Sequence, residues 1–281
     1  MKCFYHSADL DGYCSGALVK LKHPDCEMIG INYGNEFPWD RVASDEKVFM
    51  VDFSLQPFDQ MVRLNALAEL VWIDHHKTAI EEWKAVGRPH IKGFREVGKA
   101  GCEITWEYLY PDRDMPRAVR LLGRYDVWDH SDPDTLRFQM GMRLWTWDPR
   151  VVNIKRWEDI IFETDHPAFR NALYNGDVVL KYQALQNEMY AQTCAFDTEM
   201  DGLRCIAANA QMVNSKLFDT VWDESRHDAM LTFGWRNGRW TVSLYTSKEG
   251  VDVGVVAKAR GGGGHAGAAG FQCDELPFRL N

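Results

Sequence analysis

Short apolar runs alternate with helical patterns over the first 130 residues of the chain. Strand-like runs occupy residues 2–5, 28–33, 48–51 and 70–73, and apolar positions at helical spacing fall in residues 15–21, 60–68, 101–110 and 115–125. Strands that alternate with helices in this way predict an α/β fold with a parallel, doubly wound sheet. Ligands bind such sheets at the edge shared by the carboxyl ends of the strands.

The pattern changes in the second half of the chain. Residues 166–195 read as one polar-sided helical stretch interrupted by Gly176. Strand-like runs follow at 203–210, 227–235 and, after a turn at Arg236-Asn237-Gly238, at 239–245, with a short helix at 252–259. We therefore predict a larger domain over residues 1–165, a helical connector over 166–195 and a smaller α/β domain over 196–281. We expect a cleft between the two domains.

Composition and charge narrow the classes of protein. Apolar residues make up 46% of the 281, enough for a sizeable core, and seven cysteines without a CxxC pair suggest reduced, mostly buried thiols. No run approaches the roughly 18 uncharged apolar residues of a membrane helix, and the N-terminus lacks an apolar signal region, so we expect a cytoplasmic protein. The net charge of −9 favours a small or short anionic ligand over long duplex nucleic acid.

Acidic residues and histidines follow three of the predicted strands directly. These motifs are His6-Ser-Ala-Asp9-Leu-Asp11, then Asp52, then Asp74-His75-His76, and Asp126 comes just beyond the predicted helix at 115–125. A single Asp at a strand end is usually a helix cap or turn residue. Three successive strand ends carrying Asp, two of them with His, are hard to explain by capping alone.

Carboxylates gathered at one sheet edge would repel one another and raise each other's pKa. A bound cation removes that penalty because it becomes the largest local charge. Carboxylate ligands with two or three imidazoles suit Mn²⁺, with Mg²⁺ or Co²⁺ as alternatives. The sequence thus predicts a site for divalent metal at this edge.

A glycine-rich segment is the second strong signal. It reads Gly261-Gly262-Gly263-Gly264-His265. Successive glycines let the backbone approach an anion and direct N–H groups into one concavity, and His265 could donate to a phosphate oxygen. A flexible surface loop is the alternative. A Walker-type phosphate loop is excluded because no Gly-Lys-Ser/Thr follows. The eleven tryptophans, including Trp145 and Trp147, we interpret mainly as core or interdomain packing residues, with base stacking by one of them as the alternative.

Taken together, these motifs resemble the DHH phosphoesterases, a superfamily named for the triplet at 74–76. The resemblance covers nearly the whole chain, with four N-terminal motifs in the family's order and a GGGGHAGAAGF segment similar to the family's phosphate-binding, DHH-associated domain. It implies a catalytic N-terminal domain that holds two manganese ions.

Carried onto matching positions, the resemblance implies a role for each residue. His6 and Asp9 would hold the first metal, Asp11, His75 and Asp126 the second, and Asp52 would bridge the two. Asp74 would orient a ligand or coordinate a metal more loosely, and His76 would face the substrate phosphate. The phosphate-binding set would be His76, Gly262, Gly263, Gly264 and His265. The catalytic residues would be Asp52, Asp74, His76 and His265, with a hydroxide activated by both metals as the attacking group.

Two features depart from nanoRNase-like members of the superfamily. The aspartates of the first motif lie three and five residues after the histidine rather than four and six. Those members also tend to carry an Arg on the strand before the glycines, where this chain reads Ser243-Leu244-Tyr245-Thr246-Ser247.

The main hypothesis is a phosphodiesterase for short oligonucleotides or dinucleotides. The alternatives are a phosphatase acting on adenosine 3′,5′-bisphosphate (pAp), pyrophosphate or polyphosphate, and a nucleotide sensor without catalysis. The sequence leaves open whether the protein forms a homodimer.

Overall fold

The computed structural model describes residues 1–163 and 165–280. The chain forms two compact units, residues 1–180 and residues 181 onward, called here the N-terminal and C-terminal units. The division falls within a long helix, α8 (Pro167–Cys194).

The N-terminal unit contains a four-stranded parallel sheet. Its strands are β1 (Lys2–His6), β2 (Glu27–Ile31), β3 (Lys47–Val51) and β4 (Glu69–Ile73). They are arranged in the order β2-β1-β3-β4, and every neighbouring pair is parallel. The carboxyl ends of β1, β3 and β4 therefore lie side by side.

Alternating side chains of this sheet enter two separate cores. One face contributes Cys3, Tyr5, Phe49, Val51, Val71 and Ile73, and the other contributes Phe4, Val48, Met50, Leu70 and Trp72. Both faces are apolar, so these strands read as continuous apolar runs rather than as alternating patterns. The predicted doubly wound parallel sheet is confirmed.

Helices cover both faces of the sheet. The first core takes residues from α1 (Leu10–Lys22), α4 (Gly101–Leu109), α5 (Arg117–Asp126), α6 (Asp134–Met142), α7 (Ile154–Phe162) and α8, and the second from α2 (Asp59–Leu67) and α3 (Lys77–Ala85). Sequence patterning did not predict α3, α6 or α7. It also placed Asp126 beyond a helix, whereas Asp126 is the last residue of α5.

Helix α8 runs without interruption through Gly176, contrary to the sequence interpretation. A Cβ at this position would lie 1.6 Å from the carbonyl oxygen of Arg137 on α6. Glycine is needed here for the close approach of two helices, so it does not mark a break. In the part of the chain that the structure describes, neither α8 nor any other helix has the length and apolarity to cross a membrane.

The C-terminal unit contains a mixed six-stranded sheet. Its strands are β5 (Phe196–Met200), β6 (Leu203–Ala208), β7 (Ala229–Arg236), β8 (Arg239–Tyr245), β9 (Gly263–His265) and β10 (Ala268–Cys273), in the order β5-β6-β7-β8-β10-β9. Only β6 and β7 pair in parallel. Asn237 and Gly238 both have positive φ between β7 and β8, as the predicted turn requires.

The glycine-rich segment is more ordered than a loop. Gly261 and Gly262 end helix α9 (Val253–Ala259) by donating their N–H groups to the carbonyls of Lys258 and Ala257. The next three residues form β9, an edge strand that pairs only with β10. Two of the four glycine N–H groups are therefore already used, and the expectation that all four point into one concavity is wrong.

Candidate metal centre

The predicted acidic residues and histidines meet at one edge of the N-terminal sheet. His6 is the last residue of β1, Asp52 follows β3, and the 74–76 triplet follows β4. Asp9 caps α1 by accepting from the N–H of Gly12 at 3.0 Å, so the start of α1 lies against the same edge. Asp126 comes from the end of α5.

Among the residues that the structure describes, three groups of side chains could each hold a metal ion. They are His6, Asp9 and Asp52; then Asp11, His75 and Asp126; then Asp52, His75 and His76, and the ligand atoms of each group lie within 4.8 Å of one another. Asp52 and His75 each belong to two groups. All six residues expected from the sequence as metal ligands are thus brought together.

Asp52 occupies the middle of this arrangement. It is 1% exposed and has φ of 53°, a left-handed conformation that costs less for Asp than for most residues. Its Oδ2 lies 3.6 Å from Nδ1 of His6, and its Oδ1 lies 3.1 Å from Nε2 of His75. No donor among the described residues makes a well-aligned hydrogen bond to Oδ1.

An unpartnered buried acceptor is costly unless something outside the chain satisfies it. A divalent ion fits that requirement at Asp52, since the surrounding donors are carboxylate oxygens and imidazole nitrogens, the ligands suited to Mn²⁺. The backbone of Gly101 packs closely against Asp52, and glycine is needed there because a Cβ would lie 2.6 Å from Oδ1. The residues present therefore fit the metal that the sequence predicts.

Asp11 is buried and also anchors a helix. Its carboxylate accepts hydrogen bonds from the N–H groups of Gly101 at 2.8 Å and Cys102 at 2.7 Å. These two residues form the first turn of α4. A carboxylate at a helix N-terminus satisfies backbone donors and complements the helix dipole. Its Oδ2 lies 3.7 Å from Nε2 of His75, so Asp11 joins the helix to the metal-binding cluster.

Asp74 is fully buried and orients the histidines rather than facing the cluster. Its Oδ1 accepts from the backbone N–H groups of His75 and His76 and lies 2.7 Å from Nδ1 of His76, while Oδ2 accepts from Nε1 of Trp72. With Nδ1 held by a carboxylate, the ring of His76 keeps Nε2 for another partner.

The charges of the cluster shift its pKa values in opposite directions. Burial, together with Asp52 and Asp126, raises the pKa of Asp11 well above its ordinary value. Burial also raises the pKa of Asp126, to about 6, even though His75 opposes it. Asp52 is the exception: burial would raise its pKa, but His6 and His75 lower it to about 2. The predicted repulsion among carboxylates is therefore concentrated on Asp11 and Asp126.

The histidines show the matching shifts. Burial alone would lower the pKa of His75, but Asp52 and Asp126 raise it to about 9. The pKa of His6 is raised against burial by Asp52 and Asp9, and that of His76 against burial by Asp74. Carboxylates thus surround all three of these imidazoles, and a bound cation would neutralise the same carboxylates.

Sequence reasoning missed residues at the rim of the cluster. Asn32 follows β2 as Asp52 follows β3, and its Oδ1 lies 3.3 Å from Nε2 of His6. Tyr33 lies with its ring 5.6 Å from that of His6 and 4.6 Å from that of Phe53. The rule that strand ends carry the site would have found Asn32 if it had been applied to all four strands.

The residues expected to bind phosphate belong to both units. His76 lies in the cluster, whereas Gly263, Gly264 and His265 form the exposed edge strand β9 and Gly262 ends α9. The His265 side chain forms no hydrogen bond within the described residues and is exposed to solvent.

Comparison with known sequences gives two relatives. No family model matches the chain. An uncharacterized protein R106 from Acanthamoeba polyphaga mimivirus is 26% identical over 85% of this chain, and the alignment covers only 56% of that protein. Oligoribonuclease NrnB of Bacillus subtilis is 23% identical over 98% of this chain and 74% of its own length.

Comparison with solved structures supports the fold. A pGpG-specific phosphodiesterase from Vibrio cholerae matches 96% of this chain and 92% of its own at a TM-score of 0.52 and 13% identity. The DHH domain of a protein from a family of ribosomal proteins matches 96% of this chain and 81% of its own at a TM-score of 0.50 and 14% identity.

Proposed function

We propose that this chain is a metal-dependent phosphodiesterase of the DHH phosphoesterase superfamily and that it hydrolyses short oligonucleotides. The observation that carries the proposal is Asp52, a buried carboxylate that is shared by two groups of potential metal ligands and whose Oδ1 accepts no well-aligned hydrogen bond from the described residues. One carboxylate shared by two such groups could contact both ions of a pair, as two-metal catalysis needs two ions held close together.

Each of the residues has a task in this reaction. His6, Asp9 and Asp52 would hold one ion, and Asp11, His75, Asp126 and Asp52 the other. Two bound ions supply a water molecule of lowered pKa and neutralise charge on the attacked phosphate. Asp74 favours the protonated ring of His76, whose Nε2–H then donates to a phosphate oxygen of the substrate. His265 is proposed to donate to the same substrate.

A short substrate is favoured by charge and by the relatives. The chain carries a net charge of −9, so each phosphate beyond those bound at the centre meets a repulsive field. The Bacillus subtilis relative is named an oligoribonuclease. We therefore expect kcat/KM to be highest for two to five nucleotides and at least about tenfold lower for a 24-mer, with a shallow salt dependence.

The test is a product assay with Mn²⁺ over RNAs of two to 24 nucleotides, pAp, cyclic dinucleotides and pyrophosphate. Preferential cleavage of the shortest RNAs supports the proposal. Equal rates on 2-mers and 24-mers, or a steep salt dependence, contradict the short-substrate preference. Turnover of pAp or pyrophosphate without cleavage of any RNA would favour the phosphatase alternative, and binding without any turnover the sensor.

A further inference from the structure

A second feature of the N-terminal unit lies beside the metal centre. A pocket of about 230 Å³ opens next to Asp11 and Asp126, and its other lining residues include Trp128, Gln139 and Arg143. Gln139 and Arg143 were not predicted as site residues, and Trp128 is one of the eleven tryptophans interpreted mainly as packing residues. Each of them has a conformation or an unsatisfied polar group that packing within the protein does not explain.

Trp128 has an unfavourable backbone conformation for its size. Helix α5 ends in a Schellman motif, in which the N–H of Asp129 donates to the carbonyl of Arg124 at 2.7 Å and that of Trp128 to Tyr125 at 3.2 Å. Trp128 takes the left-handed position of this motif, with φ of 62°, where glycine is the usual residue. A bulky side chain at positive φ is a strained choice.

The side chain of Trp128 gains little from folding to offset this strain. Trp128 is 72% exposed, with one ring contact to His130 at 4.7 Å and a more distant one to Tyr125 at 6.2 Å. Trp147, by comparison, is 4% exposed and lies within the first core. A large apolar ring that is both strained and exposed contributes little to stability, and its free face is available to a ligand.

Two polar groups in the same pocket have no hydrogen-bond or ion-pair partner among the described residues, the Oε1 atom of Gln139 and the guanidinium of Arg143. Gln139 is 3% exposed, and its Oε1 has no hydrogen-bond partner in the described ranges 1–163 and 165–280. Arg143 lies over the ring of Tyr125 at 5.3 Å and forms no ion pair with any described carboxylate. The pocket thus offers an aromatic face, an uncompensated cation and an unpartnered acceptor next to two metal ligands.

We propose that this pocket binds the nucleotide adjoining the scissile phosphate, with the base stacked on Trp128 and a neighbouring phosphate contacted by Arg143. The inference rests on the proposed function, since it places a substrate residue beside the metal centre. Stacking on an exposed aromatic ring accepts any base, because every base has a π-face. A cation 5.3 Å from the Tyr125 ring is held in place without being neutralised.

The test uses Trp128→Gly, because glycine is the preferred residue at this backbone position. The probe is a 5′-phosphorylated diadenylate with a non-cleavable phosphonomethyl linkage, and the control probe is the same molecule with both bases absent. We expect the Kd of the diadenylate to rise by about five- to 150-fold, the range for loss of one stacked base. The Kd of the abasic probe should not change, and the Tm should equal or exceed that of the parent protein.

Three further variants sharpen the result. Trp128→Phe should retain most of the affinity because it keeps a ring. Arg143→Gln should weaken binding of both probes, since its partner is a phosphate. Met212→Gly is the matched control, because Met212 is 98% exposed with φ of 60° and does not line the pocket. The Kd of this variant for the diadenylate should equal that of the parent protein.

Several outcomes would overturn the inference. They are an unchanged Kd for Trp128→Gly, an equal loss on both probes, no binding of the diadenylate by the parent protein, or a clear fall in Tm that assigns Trp128 a structural role. Failure of the proposed function looks different: the parent protein would bind the diadenylate through Trp128 yet cleave no RNA. Cleavage of RNA with unchanged kinetics in Trp128→Gly would overturn the pocket assignment alone.

Discussion

The metal centre of the N-terminal unit and the glycine segment of the C-terminal unit are built in opposite ways. The centre gathers titratable side chains from residues 6 to 126, of which His6, Asp11 and Asp52 are buried, whereas the glycine segment is a contiguous, exposed stretch of backbone without charge. In the first, burial and repulsion raise the pKa of Asp11 and Asp126. From this comparison we expect the first region to bind a metal ion and the second region to bind none.

The strongest test of this comparison is Asp52→Asn. An amide cannot neutralise two divalent ions, so kcat/KM should fall by at least about 10³-fold with Mn²⁺, and the metal content measured by mass spectrometry should fall as well. Asp45→Asn is the control, because Asp45 also has positive φ but is exposed. Undiminished turnover in EDTA would exclude a two-metal reaction.

His265→Ala tests the other side of the comparison. Loss of one donor to a charged oxygen should lower kcat/KM by about 10²-fold, while metal stoichiometry stays intact. Gln272→Ala, on the neighbouring strand β10, should leave both quantities unchanged. A loss of manganese in His265→Ala would show that the C-terminal unit takes part in metal binding.

Metal removal should affect the stability of only one unit. A ligand at a free concentration of 100 times its Kd stabilises the native state by about 2.7 kcal/mol. Mn²⁺ at that concentration should therefore slow amide hydrogen exchange around Asp11, Asp52 and Asp74. Exchange in β5 to β10 should not change. Equal protection of both units by Mn²⁺ would mean that the ion does not distinguish them.

The smallest expected effect concerns two ion pairs, one in each unit. Asp148 is buried and accepts from Tyr5 and Arg150; burial would raise its pKa, but these donors lower it. Donation from Arg204 and then Lys248 lowers the pKa of the more solvated Asp228. Depressed carboxyl pKa values stabilise the fold above the unfolded pKa of about 3.9 and lose that effect as pH falls below it.

Asp148→Asn should therefore lower the free energy of unfolding by about 1.5–3 kcal/mol at pH 7, and Asp228→Asn by less. Both differences should shrink in urea titrations repeated at pH 3, because pH 3 lies below the unfolded pKa of about 3.9 and these carboxyl groups are then mostly protonated in the unfolded parent chain. A loss from Asp148→Asn that is the same at both pH values would show that its charge is not what stabilises the unit.

Much of the fold was predictable because both faces of the N-terminal sheet are apolar. Continuous apolar runs locate β1 to β4 without ambiguity, and turn chemistry located the β7–β8 hairpin. Strand β5 was missed because its charged residues alternate with apolar ones at an exposed edge, which gives no apolar run. Helices α3, α6 and α7 were missed because tertiary packing, more than local pattern, stabilises short helices.

The sequence by itself determined which residues could form the centre, since parallel strands align their carboxyl ends and each of three ends carries an aspartate. Only the tertiary structure decided what each aspartate does. Asp74 accepts hydrogen bonds from its own triplet, and Asp11 accepts them from the first turn of α4. Of these three aspartates, only Asp52 has a buried oxygen that accepts no well-aligned hydrogen bond from the described residues. The glycine segment likewise became an edge strand through pairing with β10. Hydrogen-bond partners distant in the chain are set by packing, and a local pattern does not encode them.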